Sequence, residues 1–373
     1  MIVLIFLLSF AVAYANGSND VSKGIATLAG SGVTNYRRAI RWGTLWTATG
    51  GIAAAFLARA MIQTFGKGLL APGTRADFAA AFATVAGAAL FVGFSTIRRL
   101  PVSTTHAIVG SVAGVGAVAY GVSGINWPGL WDKIALPLLL SPFVALALTA
   151  ILLQIWGMID PAMEKDCLCA EVMPPMVHTA CYDGAVALAS AVTDALPEIH
   201  ITACKADTQP SPRITVAHLH WLSSGATSFA RGMNDTPKMV AILMSAALLS
   251  KDVPVTSPVW FGAIVFGIVL GSWVAGRPVT ETLAADVTRM NHREGFAANL
   301  VTAVLVASGA ALGWPMSTTQ VASGAIIGIA STGKQTINWR SVRAILIAWA
   351  VTLPGAAILG IASYGLLRTA GIQ

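Results

Sequence analysis

The stretch Asn16-Gly17-Ser18-Asn19-Asp20-Val21-Ser22-Lys23 lies between two apolar runs, and much of it returns as Arg231-Gly232-Met233-Asn234-Asp235-Thr236-Pro237-Lys238. Gly17, Asn19, Asp20 and Lys23 each recur 215 residues later. An ionisable group at membrane depth costs about 2.5–3.5 kcal/mol on insertion scales, so it usually marks an ion or substrate path. A chain with such a group at matching places in two halves is constrained to build both halves around polar centres.

A second motif strengthens the duplication. Pro101-Val102-Ser103-Thr104-Thr105-His106 opens a Gly-rich apolar run, and Pro315-Met316-Ser317-Thr318-Thr319-Gln320 opens another, 214 residues on. Gly110/Gly324 and Gly114/Gly328 share that separation. Only 10% of residues are charged and 55% are hydrophobic, with a mean hydropathy of +0.72; a soluble chain carries roughly a quarter charged residues. Apolar runs at 134–159, 257–275 and 343–367 match the about 20 residues of a transmembrane helix. Lipid-exposed backbone must satisfy its own hydrogen bonds, so the expected class is an all-α polytopic membrane protein.

The spacing predicts one helix over 1–33, bent or broken at Asn16-Gly17, then spans at 42–65 and 76–97. A Gly-rich run to Gly121, a loop over 122–133 and a long span to 159 complete an N-terminal repeat, 1–159. Residues 160–214 differ: they hold eight of the sixteen acidic residues and all four cysteines, as expected of a soluble insert. The C-terminal repeat, 215–373, replays the first half. About five or more transmembrane segments per half, some broken or re-entrant, would invert the second half relative to the first. With the N-terminus outside, fourteen basic residues fall in inner loops and five outside. The positive-inside bias therefore places both termini outside and the insert in the cytoplasm. This count assumes that each Ser-Thr-Thr segment crosses fully. The net charge of +7 follows from that bias, and no basic-aromatic stripe points to nucleic acid. Ala13-Tyr14-Ala15 resembles a signal-peptidase site, but no basic region precedes it and the equivalent run before Asn234 lies mid-chain, so cleavage is not expected.

Proline suits the first turn of a helix. The Ser and Thr hydroxyls after it, with the free N–H groups of a helix start, make an anion site. Two such starts meeting from opposite sides would hold a tetrahedral oxyanion; plain helix capping is the other reading. The Asn-Asp pairs offer oxygens to Na⁺ or a carboxylate to a proton, or they pair with Lys23 and Lys238 at i,i+3. His106 is matched by Gln320, so the repeat does not require an imidazole. The Gly-x-x-x-Gly pairs read as close helix packing. Trp42, Trp127, Trp131, Trp221, Trp260, Trp314 and Trp339 read as interfacial anchors. Cys167, Cys169, Cys181 and Cys204, with His178 and His200, lack a Cys-x-x-Cys pair and give only a weak metal signal.

At these residues the chain resembles the inorganic phosphate transporter (PiT) family. Its marks are a Gly-x-Asn-Asp and a Pro-x-Ser-Thr-Thr segment in each repeat, around a hydrophilic linker. The resemblance covers both membrane halves and omits the insert. It implies a homodimeric symporter of the cell (inner) membrane, not an enzyme, that imports inorganic phosphate by alternating access. Na⁺ or H⁺ would be the coupling ion, with no other cofactor. Carried over, Ser103, Thr104, Thr105, Ser317, Thr318 and Thr319 meet the anion, joined by Asn19, Asp20, Asn234 and Asp235, with Lys23 and Lys238 adding positive charge. The two Asn-Asp pairs would also hold Na⁺ if coupling is to sodium. Two departures stand out. Sodium-coupled relatives commonly read Asn-Asp-x-x-Asn where this chain has Lys23 and Lys238, and Gln320 replaces a frequent histidine. A fixed amine should repel Na⁺, leaving proton coupling or weak sodium dependence. The other readings are a sulfate or thiosulfate permease of the same fold, an intramembrane hydrolase using Ser103 and His106, and a channel.

Overall fold

The computed structural model describes residues 2–372 except 32–33, 75–76, 248–257, 287–289 and 332–337; within 160–212 it describes only 166–171, 181–182, 185–186 and 198–203. The first helix, α1 (Ile2–Gly30), runs unbroken for 29 residues, so the break expected at Asn16-Gly17 is absent. The polar side chains there bond within a turn of their own helix or onto neighbouring helices, and nothing draws the backbone out of its ladder. Ser18, for example, donates to the Tyr14 carbonyl at 2.8 Å and reaches the Gly271 carbonyl at 3.1 Å. Its repeat mate α8 (Val216–Ala247) likewise stays helical through Asn234-Asp235 and Pro237.

The breaks fall one helix later. α2 (Tyr36–Leu57) and α3 (Arg59–Lys67) meet at Ala58, with a bend of 78°. The span expected at 42–65 therefore begins earlier and turns sharply before its end. In the second half, Gly276 separates α9 (Pro258–Ala275) from α10 (Arg277–Asp286). α10 occupies what hydropathy marks as a polar loop; it buries Val279, Thr280 and Leu283 and packs against α1.

α4 (Phe78–Ile97) and α5 (Thr104–Tyr120) form an antiparallel hairpin. Its ends are tied where the Asp77 backbone N–H donates to the Tyr120 hydroxyl at 2.8 Å. α11 (His292–Leu312) and α12 (Thr318–Ala330) repeat this pairing. α5 has 17 residues and α12 has 13, about 26 and 20 Å at 1.5 Å per residue, short of the roughly 30 Å hydrocarbon layer. The Ser-Thr-Thr helices are therefore too short to cross alone, whereas their partners α4 and α11 are long and apolar enough to do so. A hairpin that returned to its own side would remove two of the crossings that the charge count assumed; two being even, the halves would stay inverted.

α6 (Trp127–Leu130), a π-helical turn at Trp131–Ala135 and α7 (Leu136–Ile159) run on without interruption, so the loop expected over 122–133 ends at Asn126. Ser141 donates to the Leu138 carbonyl at 3.3 Å, the acceptor that Pro142 leaves without its usual N–H. The last helix is α13 (Trp339–Thr369). Between the helical halves, β1 (Asp166–Glu171) pairs antiparallel with β4 (Glu198–Ala203) and β5 (Arg213–Thr215), and β2 (Cys181–Tyr182) with β3 (Ala185–Val186). The fold is an all-α membrane body with a small strand-bearing connection.

Inversion can be read from side-chain contacts. Asn16 meets Asp235 and Gly24 meets Ser224; as α1 advances, its partner positions on α8 recede. Equivalent helices therefore run antiparallel. Their second helices exchange partners: α1 packs on α9 and α8 on α2. A Cβ on Gly17 would collide with the Ile268 carbonyl, and one on Gly232 with the Thr47 carbonyl. Gly271 and Gly50 meet the carbonyls of Tyr14 and Phe229 in the same reciprocal way. Gly110 of α5 lies on α13 at Leu353, and Gly324 of α12 on α7 at Pro142, so these glycines do serve helix packing. Trp127, Trp131, Trp314 and Trp339 are exposed, as anchors are. Trp42 and Trp221 instead stack edge to face at 5.6 Å between α2 and α8, where Trp42 Nε1 donates to the Trp221 carbonyl at 2.9 Å.

Gly17→Ala is expected to lower the melting temperature of the detergent-purified protein by several degrees, since overpacking costs about 1–3 kcal/mol. Gly262→Ala, where a Cβ meets nothing within 4 Å, is expected to leave it unchanged or raise it. Equal melting temperatures for the two variants would contradict the close α1–α9 contact.

Candidate functional site

The two polar stretches and the two Ser-Thr-Thr turns converge on one buried cluster. Asn19, Asp20, Lys23, Ser103, Thr104, Thr105, Asn234, Asp235, Lys238, Ser317, Thr318 and Thr319 are each at most 3% exposed. The cluster is sealed from solvent.

Its centre is a residue that sequence reasoning left out. Asn16 Nδ2 lies within hydrogen-bond reach of Asp20 Oδ2 at 2.8 Å, Thr104 Oγ1 at 3.0 Å and Asp235 Oδ2 at 3.1 Å. One amide thus bridges the carboxylates of both halves. Thr104 donates to Asp20 Oδ2 at 3.1 Å. Lys23 Nζ donates to Asp20 Oδ1 at 2.6 Å and to Asn19 Oδ1 at 2.8 Å. Lys238 Nζ reaches Asp235 Oδ1 at 3.2 Å, Thr105 Oγ1 at 2.6 Å and the Met316 carbonyl at 3.2 Å. The i,i+3 ion pairs that sequence spacing allowed are therefore formed, and one of them reaches a Ser-Thr-Thr turn.

The approach of the two turns is symmetric. Thr319 donates to the Val102 carbonyl at 2.8 Å, and its mate Thr105 to the Met316 carbonyl at 3.4 Å. Asn19 Oδ1 accepts from the Val102 N–H at 3.1 Å, and Asn234 Oδ1 from the Met316 N–H at 3.3 Å. Gln320 Nε2 faces His106 Nε2 at 3.4 Å. Two helix N-termini, each a partial positive charge with free N–H groups, thus face each other. Ser103 and Ser317 cap these helices, accepting from the N–H groups of His106 and Gln320 at 3.2 Å. The capping reading therefore holds for both serines. Ser103 Oγ also lies 2.7 Å from His106 Nδ1, as a hydrolytic pair would, but its mate beside Ser317 is Gln320, which is no base.

The sites offered for Na⁺ do not fit that ion as the side chains stand. Asp20 Oδ1 and Oδ2 and Asp235 Oδ1 and Oδ2 all accept from N–H, O–H or ammonium donors, as do Asn19 Oδ1 and Asn234 Oδ1. Among the described residues, no group of three His, Cys, Asp or Glu is placed to hold a metal. The cysteine reading of the insert falls outside the described side chains. Among the described residues, the buried polar atoms without a partner in or beside the cluster include the acceptors Asn16 Oδ1 and Gln320 Oε1, and the donors Arg231 Nε and Nη1. The signal that could have found Asn16 and Arg231 was the repeat itself, because they are mates at the same separation of 215 and differ in type.

Removing the Lys238 amine should strand a buried carboxylate, which costs about 3–5 kcal/mol. Lys238→Met is expected to lower the melting temperature well beyond Gly17→Ala, and adding Asp235→Asn to recover most of the loss. No recovery in the double variant would show that the pair is not coupled.

Comparison with known proteins gives the same assignment. A model described as the phosphate transporter family matches residues 16–360. A Pyrococcus furiosus chain named as a phosphate permease is 28% identical, covering 96% of this chain and 94% of its own length. A Rhizobium meliloti chain named as a low-affinity inorganic phosphate transporter is 26% identical over 94% and 92%. Among solved structures, a sodium-dependent phosphate transporter superposes with a TM-score of 0.77 at 20% identity, over 99% of both chains. The motifs, the inverted helical fold and the family match agree: this chain belongs to the phosphate transporter family.

Proposed function

We propose that the chain is a secondary active symporter that imports inorganic phosphate across the cell membrane by alternating access around the buried cluster. The observation that carries this reading is the meeting of two inverted half-sites, each with a helix N-terminus and an Asn-Asp-Lys set, in one sealed centre. Inverted repeats with non-spanning helices at mid-depth are the build of alternating access. The anion is received by Ser103, Thr104, Thr105, Ser317, Thr318 and Thr319, together with Asn19, Asp20, Lys23, Asn234, Asp235 and Lys238. Phosphate is favoured over sulfate because Asn16 Oδ1 and Gln320 Oε1 are buried acceptors without donors. A protonated oxyanion brings O–H groups to them; sulfate at neutral pH brings none.

Coupling is to H⁺ or only weakly to Na⁺. The amines of Lys23 and Lys238 stand on the carboxylates that a sodium ion would need. The carrier sits in the membrane as a homodimer, with both termini outside and the 160–214 insert in the cytoplasm. The excess of basic residues in the inner loops favours this orientation, and re-entrant hairpins do not alter it.

Labelled phosphate uptake into proteoliposomes, with Na⁺ and pH gradients imposed separately, is expected to be saturable, to show counterflow and to follow the pH gradient. Steep Na⁺ dependence with indifference to pH would reject the coupling assignment. Asp20→Asn and Thr104→Ala should each cut uptake about tenfold or more, the scale of one lost hydrogen bond to a charged group. Near-normal uptake in both folded variants would reject these site roles.

A further inference from the structure

We propose that Arg231 is a substrate-binding residue, whose unpaired guanidinium N–H groups receive the transported oxyanion opposite Asn16. The inference rests on the transport reading above. Arg231 is 1% exposed. Its Nη2 donates to Ser272 Oγ at 3.3 Å, and Ser272 donates to the Gly17 carbonyl at 3.1 Å. The guanidinium therefore lies beside α1, one residue from Asn16, and one turn before Asp235 on its own helix.

Comparison of the repeat mates shows what is missing. In the first half, Asn16, Thr104 and Asp20 close on one another through short bonds. In the second half, the mates are Arg231, Thr318 and Asp235. There, Arg231 Nε and Nη1 have no partner and the Thr318 hydroxyl makes no hydrogen bond among the described residues. Neither carboxylate hydrogen-bonds to those N–H groups, although both lie close enough to attract the guanidinium. Asp20 and Asp235 are each paired with a lysine and already accept from Asn16.

Charge gives the same answer. The two aspartate–lysine pairs balance, so Arg231 puts the centre one formal positive charge in excess. A buried charge whose donors are only partly bonded is disfavoured, and a planar set of N–H donors matches the oxygens of phosphate. A carrier meets that requirement when its anion arrives. The larger, charged side chain at position 231 replaces the amide of its mate, and this breaks the symmetry of the site in favour of one anion.

Arg231→Asn restores the first-half residue and removes the charge at a position whose mate already holds asparagine. In proteoliposomes its KM for phosphate is expected to rise about ten- to a hundredfold, the weight of a hydrogen bond to a charged group. Arg231→Lys, which keeps the charge but not the planar donors, should give a smaller rise. Equilibrium binding of labelled phosphate to the purified variants should weaken in the same order. An unchanged KM in folded Arg231→Asn, with wild-type uptake saturable, overturns the proposal. Failure of both variants to fold would mark Arg231 as a structural charge and overturn it as well. Absence of saturable phosphate uptake in the wild type would instead reject the transport reading itself.

Discussion

Two carboxylates held close together inside a bundle of apolar helices repel each other strongly, because little water remains to screen them. Asp20 and Asp235 are in that position, and the surrounding structure answers it. A lysine one turn along each helix neutralises each acid, and the single Asn16 amide binds both at once. These contacts require α1 and α8 to cross in opposite senses at their polar stretches. The rest of the packing follows from that crossing. Gly17 and Gly232 let the second helices of the opposite halves press against backbone, and the hairpin tips fill the remaining space.

The hairpins supply what side chains alone would not. A helix that spans the membrane places its N-terminus at the surface, where water weakens its dipole. A short helix that begins at mid-depth brings its first N–H groups into a dry environment, where they act on an anion at close range. Ser103 and Ser317 each satisfy one of those groups, while the threonines tie one turn to the other half. The site is therefore made of two element ends set against the polar faces of α1 and α8.

Much of this was legible in the chain. Separations of 215 and 214 residues gave the duplication, and an odd number of crossings gave its inversion. The Pro-x-Ser-Thr-Thr turns and the Asn-Asp pairs do meet. The position of the breaks was not legible. Asn16-Gly17 carries the composition of an interruption, but its side chains bond within the helix or onto its neighbours, so the backbone stays regular. The observed breaks lie at Ala58 and Gly276, the first in a run whose composition gives no warning. Hydropathy also gave no hint that α4 and α5 pair as a hairpin, since α4 and α11 are long and apolar enough to pass for separate spans; the bond from Asp77 to Tyr120 shows the pairing. Asn16 and Arg231 were passed over because they do not repeat, although a mismatch inside a well-kept repeat is itself a signal.

The exchange of second helices bears on how the molecule is made. α1 finds its main neighbour in α9, which is synthesised only after more than two hundred further residues, and α2 finds its own in α8. As the chain leaves the ribosome, the first half has most of its helices yet lacks the surfaces they are shaped to meet. Its buried acid and lysine must wait in the lipid with each other as their chief company. An ion pair within one helical turn needs no second element, so it lowers the cost of holding Asp20 in lipid whether or not α8 is present.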